Sequence, residues 1–557
     1  MLKTKLISSL TKVYTDTSFD DLPVFNKISA LKGERVSFQL VTQYVKDNND
    51  GKFLEKKLFA PVLFGKLAEY VSLRSVKNVG VELPTLPDLA DNDYERTTPG
   101  LYPDVLRPLD YSGKISAKTL FPSAVWVEIN IPTDTEIKGE CDLTIELIDP
   151  NGEKAATEVF TIDVIDAQLP EQTLMLTQWF HCDCLANYYD VEVWSEKHWR
   201  AIENFARVAY RNGINMLLTP TFTPPLDTQI GGERLTTQLI GVTLDNGKYS
   251  FDFTKLDRWV DMCDRVGIKY LEISHLFTQW GAKHAPKVMA TVDGEYKRIF
   301  GWETDASSNE YVGFLREFLT AFLGHMKKNG NDKRCFFHIS DEPVKDQIES
   351  YCAAKASIAD LLEGYVTMDA LSDYPFYEQG IVSTPISNTN SIANFVNKGI
   401  PNLWAYYCCG ECSGVSNRLI AMPSARNRSI GMQLYKYDIV GFLQWGLNFY
   451  SNQNSANCIE PFTDVCGDSW VPGGDSISVY PGFRGEALES IRLAVFFEAL
   501  QDMRAMKLCE ELYSKDEVVA AIEKVLGKEL TFYTCANNAN LMLAIRARIN
   551  EMIKAKV

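Results

Sequence analysis

Residues 335–344 read CFFHISDEPV, an apolar run and a histidine followed by Asp341 and Glu342 side by side, ahead of Pro343. Adjacent like charges leaving a buried strand are tolerated only if they are solvated, paired or used. The neighbouring segments decide what sheet this strand belongs to. From residue 171 onward, strand-like apolar runs alternate with amphipathic stretches: TLMLTQWF (173–180), INMLLTP (214–220), KYLEISH (269–275), CFFHISD (335–341), GYVTMDA (364–370), GIVSTP (380–385), NLWAYY (402–407) and DIVGFLQWG (438–446). Eight strands with helices between them predict an α/β fold, a (β/α)8 TIM-like barrel whose fourth strand carries the acidic pair. The weakest of the eight is 380–385. The segment 171–484 is longer than the roughly 250 residues typical of this fold. An insertion at 221–253 accounts for part of the excess, and Asn246-Gly247 within it signals a hairpin.

Working outward, residues 1–170 read as an N-terminal β-sandwich. RVSFQLVTQYV, SAVWVEINI, CDLTIELID and EVFTIDVID are alternating or β-branched runs, and Asp-Pro-Asn-Gly at 149–152 marks a hairpin turn. DAQLPEQ then links to the barrel. Residues 485–557 turn helical in period, with ESIRLAVFFEALQDMRAMKLCEELY set to close the barrel and ANLMLAIRARINEMIKA to flank it.

Composition limits the partners. With 557 residues, 46% hydrophobic and 11% aromatic, the chain can fill more than one core. A formal charge of −17 argues against a nucleic-acid partner, because phosphate binding needs a basic surface. No run of 18 apolar residues predicts a membrane span. The opening MLKTKLISSLTK is broken by Ser8, Ser9, Thr11 and Lys12 before it reaches the length of a signal-peptide core. Together with 13 irregularly spaced cysteines, this places the expectation in the cytoplasm, a removed export signal being the alternative. No cofactor motif is present.

In this fold functional groups collect at the C-terminal ends of the strands. Those ends offer His181, Asp183, Thr219, His275, Asp341, Glu342, Asp369, Tyr406, Tyr407, Trp445 and Asn448, with Gln279 and Trp280 just after the third strand. Aromatic faces beside carboxylates and amides suit a carbohydrate, since C–H faces stack on rings and hydroxyls need fixed partners. The competing reading of the aromatics is barrel packing. For the acidic pair, the competing reading is an N-cap on the helix that follows. Pro343 biases Glu342 towards extended backbone.

Ordinary glycosidases flank the scissile bond with carboxylates about 5–5.5 Å or about 6.5–9.5 Å apart. Neighbouring Cα atoms are only about 3.8 Å apart and approach from one backbone edge. The pair therefore suits a division of labour in which Glu342 protonates the leaving oxygen and Asp341 holds a nucleophile belonging to the substrate. FFHISDEP, with WAYYCC, GFLQWGLNFY and GDSW…VYPG…ESIRL downstream, resembles glycoside hydrolase family 123 and its relatives over most of residues 170–500. The Asp-Glu pair is also similar to that of family 20 hexosaminidases. The resemblance implies a retaining exo-β-N-acetylhexosaminidase that prefers GalNAc and acts through an oxazolinium formed by the 2-acetamido group. Asp341 would orient and stabilise that group, and Glu342 would serve as general acid and then base.

Candidate substrate contacts are His275, Trp280, Asp369, Tyr406, Trp445 and Asn448. A two-carboxylate glycosidase on an unacetylated sugar, with Asp369 or Glu272 as the distant partner of Glu342, and a non-catalytic carbohydrate-binding barrel are the alternatives. HCDC (181–184) and CCGEC (408–412) lack zinc-module spacing, so free cysteines are expected and no metal. RNRSIG (426–431) reads as an arginine-rich helix face paired with surface carboxylates.

Overall fold

The computed structural model describes residues 1–45, 54–110 and 112–557. All eight strand candidates form, as Met175–Gln178, Met216–Thr219, Tyr270–Ile273, Cys335–Phe337, Val366–Ala370, Thr384–Asn388, Trp404–Tyr406 and Gly441–Gln444. Each pairs in parallel with its neighbours, and the eighth returns to the first to close the barrel. The weakest candidate begins four residues later than its sequence pattern suggested, because Met368, Asp369 and Ala370 of the fifth strand take Thr384, Pro385 and Ile386 as partners. Inside the barrel, Met216, Leu218, Phe336, Met368, Ile386 and Trp404 share one apolar cluster. Gly441 is required there: a Cβ at this position would lie 2.1 Å from the Trp404 indole.

Ahead of the barrel, two five-stranded sheets face each other across a common core. One runs, in hydrogen-bonded order, through Leu2–Ser8, Arg35–Tyr44, Ser123–Asn130, Val71–Val81 and Gly100–Pro108. The other runs through Lys27–Lys32, Lys154–Gln168, Gly139–Ile148, Lys56–Phe64 and Ile115–Lys118. The Phe38 and Phe160 rings stack at 3.8 Å between them, so period-2 patterning has placed one apolar face of each sheet inward. The Asp149–Gly152 turn joins two paired strands as expected. The Asn246-Gly247 hairpin forms too, both residues having positive φ. It joins a second hairpin, Val288–Val292 with Glu295–Phe300, in a four-stranded sheet that the sequence pattern did not reveal.

The last helices are Ile491–Leu512, Lys515–Leu526 and Ala539–Lys554, opened by Ser490, Ser514 and Asn538, whose side chains accept a backbone N–H. The arginine-rich segment differs from its surface reading. Arg428 is buried and reaches Glu498 at 2.6 Å and Asp502 at 2.7 Å on the helix Ile491–Leu512. Arg546 of the last helix shares Asp502 at 2.9 Å and reaches Glu34, beside the N-terminal sheets, at 2.7 Å. Arg426 is buried against Asp91 at 2.9 Å. Glu498 and Asp502 lie inside because their helix is wedged between barrel and terminal helices, and the arginines hold the three parts together.

Candidate active site

The fourth strand stops at Phe337, and a carboxylate on the next strand is the reason. The backbone N–H groups of Ile339 and Ser340 donate to Asp369 Oδ1, at 3.1 and 3.3 Å, instead of continuing a ladder. The chain is thereby turned across the barrel mouth, and Asp341 and Glu342 land in that turn. Glu342 has φ +43°, so it is left-handed and not extended as Pro343 suggested. Left-handed backbone on a glutamate is uncommon and concentrates at functional sites. Neither residue caps the next helix. Val344 precedes the turn Lys345–Gln347, and Gln347 precedes the helix Ile348–Ala356.

Both carboxylates line one cavity of about 210 Å3 at the strand ends. Asp341 is only 6% exposed, whereas Glu342 faces solvent. Gln279 Nε2 donates to Asp341 Oδ2 at 3.3 Å, and the Trp280 N–H donates to the Asp341 carbonyl at 3.0 Å. The Tyr406 hydroxyl donates to Glu342 Oε1 at 2.8 Å, leaving the other oxygen for chemistry. Burial, and then the adjacent Glu342, push the Asp341 carboxyl well above the usual carboxylate range, while the cation on His338 pulls the other way.

The walls are aromatic. Trp179, Trp280, Tyr406, Trp445 and Trp470 all line the cavity. Trp445 packs edge-on to Trp470 at 5.6 Å and is anchored by its indole N–H to Asp475 Oδ2 at 2.9 Å. Burial lifts the Asp475 carboxyl to about 6 despite Arg418 and that indole.

Three expected contacts lie elsewhere. Asp369 is buried beneath the floor, where the Ile339 and Ser340 amides and the Tyr351 hydroxyl occupy its oxygens. Asn448 is fully buried and spends its amide on both backbone groups of His181, at 3.0 Å each. His275 is fully buried and stacks on His338 at 4.4 Å, and among the described residues neither of its ring nitrogens has a hydrogen-bond partner. Strand-end position alone drew attention to them, but their side chains point under the pocket floor. Trp280, Tyr406 and Trp445 are at the wall as expected, together with the pair.

Beneath the floor, His338 bridges Glu272 at 2.7 Å and Asp369 at 3.4 Å. Burial by itself would lower the imidazole pKa, but the hydrogen bonds and charges of those two carboxylates outweigh it and carry it up to about 10. Glu272 also accepts from the Trp179 indole at 2.8 Å and from the Thr177 hydroxyl. Neither Glu272 nor Asp369 opens into the cavity.

Sequence reasoning singled out neither Asp227 nor Trp470, and it noted Gln279 without assigning it a contact. Asp227 sits in the long second connection, in TPPLDTQ, where an isolated acid carries no pattern. Trp470 lies far beyond the last strand, although the GDSW motif around it was a signal. The HCDC histidine is spent on the Trp445 carbonyl at 2.9 Å and Arg234 at 3.0 Å, and Asp183 pairs with Arg234 at 2.7 Å. Among the described residues no group of three His, Cys, Asp or Glu side chains could hold a metal ion, and no helix is long and apolar enough to cross a membrane.

A closed parallel barrel with a carboxylate pair in an aromatic-walled pocket at its C-terminal rim defines a carbohydrate-active barrel enzyme. The chain belongs to glycoside hydrolase family 123: the model of that family's catalytic domain matches residues 179–509, well over half the chain. It is accordingly a glycosidase, with a carbohydrate as substrate. A family 123 glycoside hydrolase from Clostridium perfringens, reported in a structural analysis of glycolipid glycan hydrolysis, has a similar fold, with a TM-score of 0.73 at 14% identity over 100% of this chain and 98% of that one. A β-glucuronidase from Parabacteroides merdae scores 0.30 at 9% identity over 90% of this chain and 51% of that one, too low to bear on the fold. No curated protein sequence matches the chain.

Proposed function

We propose that the protein is a retaining, exo-acting β-N-acetylhexosaminidase that prefers GalNAc and uses the substrate's own 2-acetamido group as nucleophile. One observation carries the reading: Asp341 and Glu342 are adjacent, line the same cavity, and differ sharply in exposure. The solvent-facing Glu342 suits proton exchange with a leaving oxygen and then with water. The buried Asp341, steadied by Gln279, suits a group that stays inside with the sugar.

In the first step the Glu342 proton passes to the glycosidic oxygen as the C1–O bond breaks. The acetamido carbonyl oxygen attacks C1 from the opposite face, giving an oxazolinium. Asp341 accepts the acetamido N–H and offsets the positive charge. In the second step the Glu342 carboxylate takes a proton from water, whose oxygen attacks C1 and reopens the ring. Two inversions give retention. Intramolecular attack is worth up to about 7–11 kcal/mol when the geometry is held, and a positioned acid adds about 10²–10⁴-fold.

The two-carboxylate alternative loses its expected partners, because Glu272 and Asp369 are locked under the floor by His338. Hydrolysis of aryl β-glycosides of GalNAc, GlcNAc and galactose tests the reading. Cleavage of the acetamido sugars, fastest with GalNAc and with turnover lowered in Glu342→Gln, supports it. Equal cleavage of the galactoside contradicts it.

A further inference from the structure

Asp227 is a third carboxylate on the cavity wall, and the two-step mechanism gives it no task. Its backbone is fixed twice. The Asp227 N–H donates to Gln279 Oε1 at 2.6 Å, and its carbonyl accepts from the Ser455 hydroxyl at 2.8 Å. Its φ is +46°, so the loop holds it in a left-handed conformation. The side chain is treated differently: among the described residues its carboxylate makes no hydrogen bond. A rigidly mounted carboxylate with four lone-pair sites, open to a sugar-sized cavity, is suited to accept hydroxyl donors.

The link through Gln279 gives the position. Gln279 spans from the Asp227 backbone to the Asp341 carboxylate. One carboxamide thus ties the Asp227 loop to the Asp341 side of the cavity. With Glu342 at the C1–O bond and Asp341 at the C2 substituent, the next ring positions met are C3 and C4.

We propose that Asp227 binds the hydroxyls on the C3–C4 edge of the sugar held by Asp341 and Glu342, and thereby sets which C4 epimer is cleaved. This rests on the proposed function for the placement of C2. A site built to accept a hydroxyl discriminates strongly against a ligand that lacks it, because its own polar group is left unpaired.

The test is a cycle between enzyme and substrate. Asp227→Asn keeps the shape and both backbone contacts, and asparagine tolerates left-handed backbone, so the variant should keep the parent's thermal midpoint. The aryl GalNAc glycoside and its 3-deoxy and 4-deoxy analogues are assayed with parent and variant. Loss of a hydrogen bond to a charged group is expected to lower kcat/KM about ten- to a hundredfold for the variant on the full substrate. A similar loss is expected for the parent on the analogue lacking the contacted hydroxyl, with little further loss when both are removed. The GalNAc-to-GlcNAc ratio should fall towards one in the variant. Additive losses at both positions, with the ratio unchanged, would overturn the proposal. So would a collapse of kcat on every substrate that azide rescues with formation of the inverted glycosyl azide, which would make Asp227 a nucleophile. Failure of the acetamido reading is separately visible, since the same cycle can be run on whichever glycoside the enzyme cleaves.

Discussion

Replacing Asp341 by asparagine removes the negative charge that its carboxylate carries in the proposed mechanism and little else, since an amide oxygen can still accept from Gln279. The carboxylate it replaces is 6% exposed and, in the proposed mechanism, faces a cation that forms only as the reaction proceeds. Two unit charges about 4 Å apart at an effective dielectric of about 20 interact by about 4 kcal/mol. Most of that is felt in the transition state, so kcat should fall by about 10³-fold. KM should change far less, because the neutral acetamido group of the ground state gains little from the charge. The assay is steady-state hydrolysis of 4-nitrophenyl N-acetyl-β-galactosaminide, with a thermal melt to show that the variant is folded. A loss of less than tenfold in a folded variant, or a loss carried wholly by KM, would refute the electrostatic reasoning.

Other outcomes follow from the same geometry. Glu342→Gln should slow substrates with poor leaving groups by about 10²–10⁴-fold, and spare the first step for activated aryl glycosides that need no acid. Competition between leaving groups in kcat/KM reads this directly. Tyr406→Phe removes the hydroxyl that holds Glu342 Oε1 and should cost about ten- to a hundredfold in kcat/KM. His338 is raised in the folded state from about 6.5 to about 10. Its contribution to stability is thus complete below about pH 6.5 and is lost as pH rises through about 10; His338→Gln should flatten the fall in melting temperature over that window. Arg428→Met leaves Glu498 and Asp502 less compensated in the interior, and should lower stability by about 3–5 kcal/mol in chemical denaturation.

Much of the barrel was legible because each strand is a short apolar run bounded by a helix, a pattern that depends on local sequence. The pair at 341–342 was legible because two adjacent acids after a buried strand repel one another and persist there only when paired or put to use. What escaped notice depended on long-range partners. The fourth strand ends where it does because Asp369, on the next strand, captures two of its amides. The same bond removes Asp369 from the pocket, although its position at a strand end suggested a sugar contact. His275 and Asn448 share that fate: the strand-end rule gives the height in the barrel, while side-chain direction depends on packing beneath the floor. Asp227 was invisible for the opposite reason, since it reaches the site from a long connection held by Gln279 and Ser455. The arginines at 426 and 428 were misplaced because an amphipathic pattern cannot reveal that a later helix will cover the polar face.

The proposed mechanism turns on the substrate supplying its own nucleophile. Inhibition by the GalNAc-derived thiazoline, a stable mimic of the oxazolinium, is the sharpest probe of that step. Competitive inhibition is expected, with a constant far below the KM of the matching aryl glycoside and weakened at least a hundredfold by Asp341→Asn. An enzyme that hydrolyses β-glycosides yet ignores the thiazoline would contradict substrate assistance.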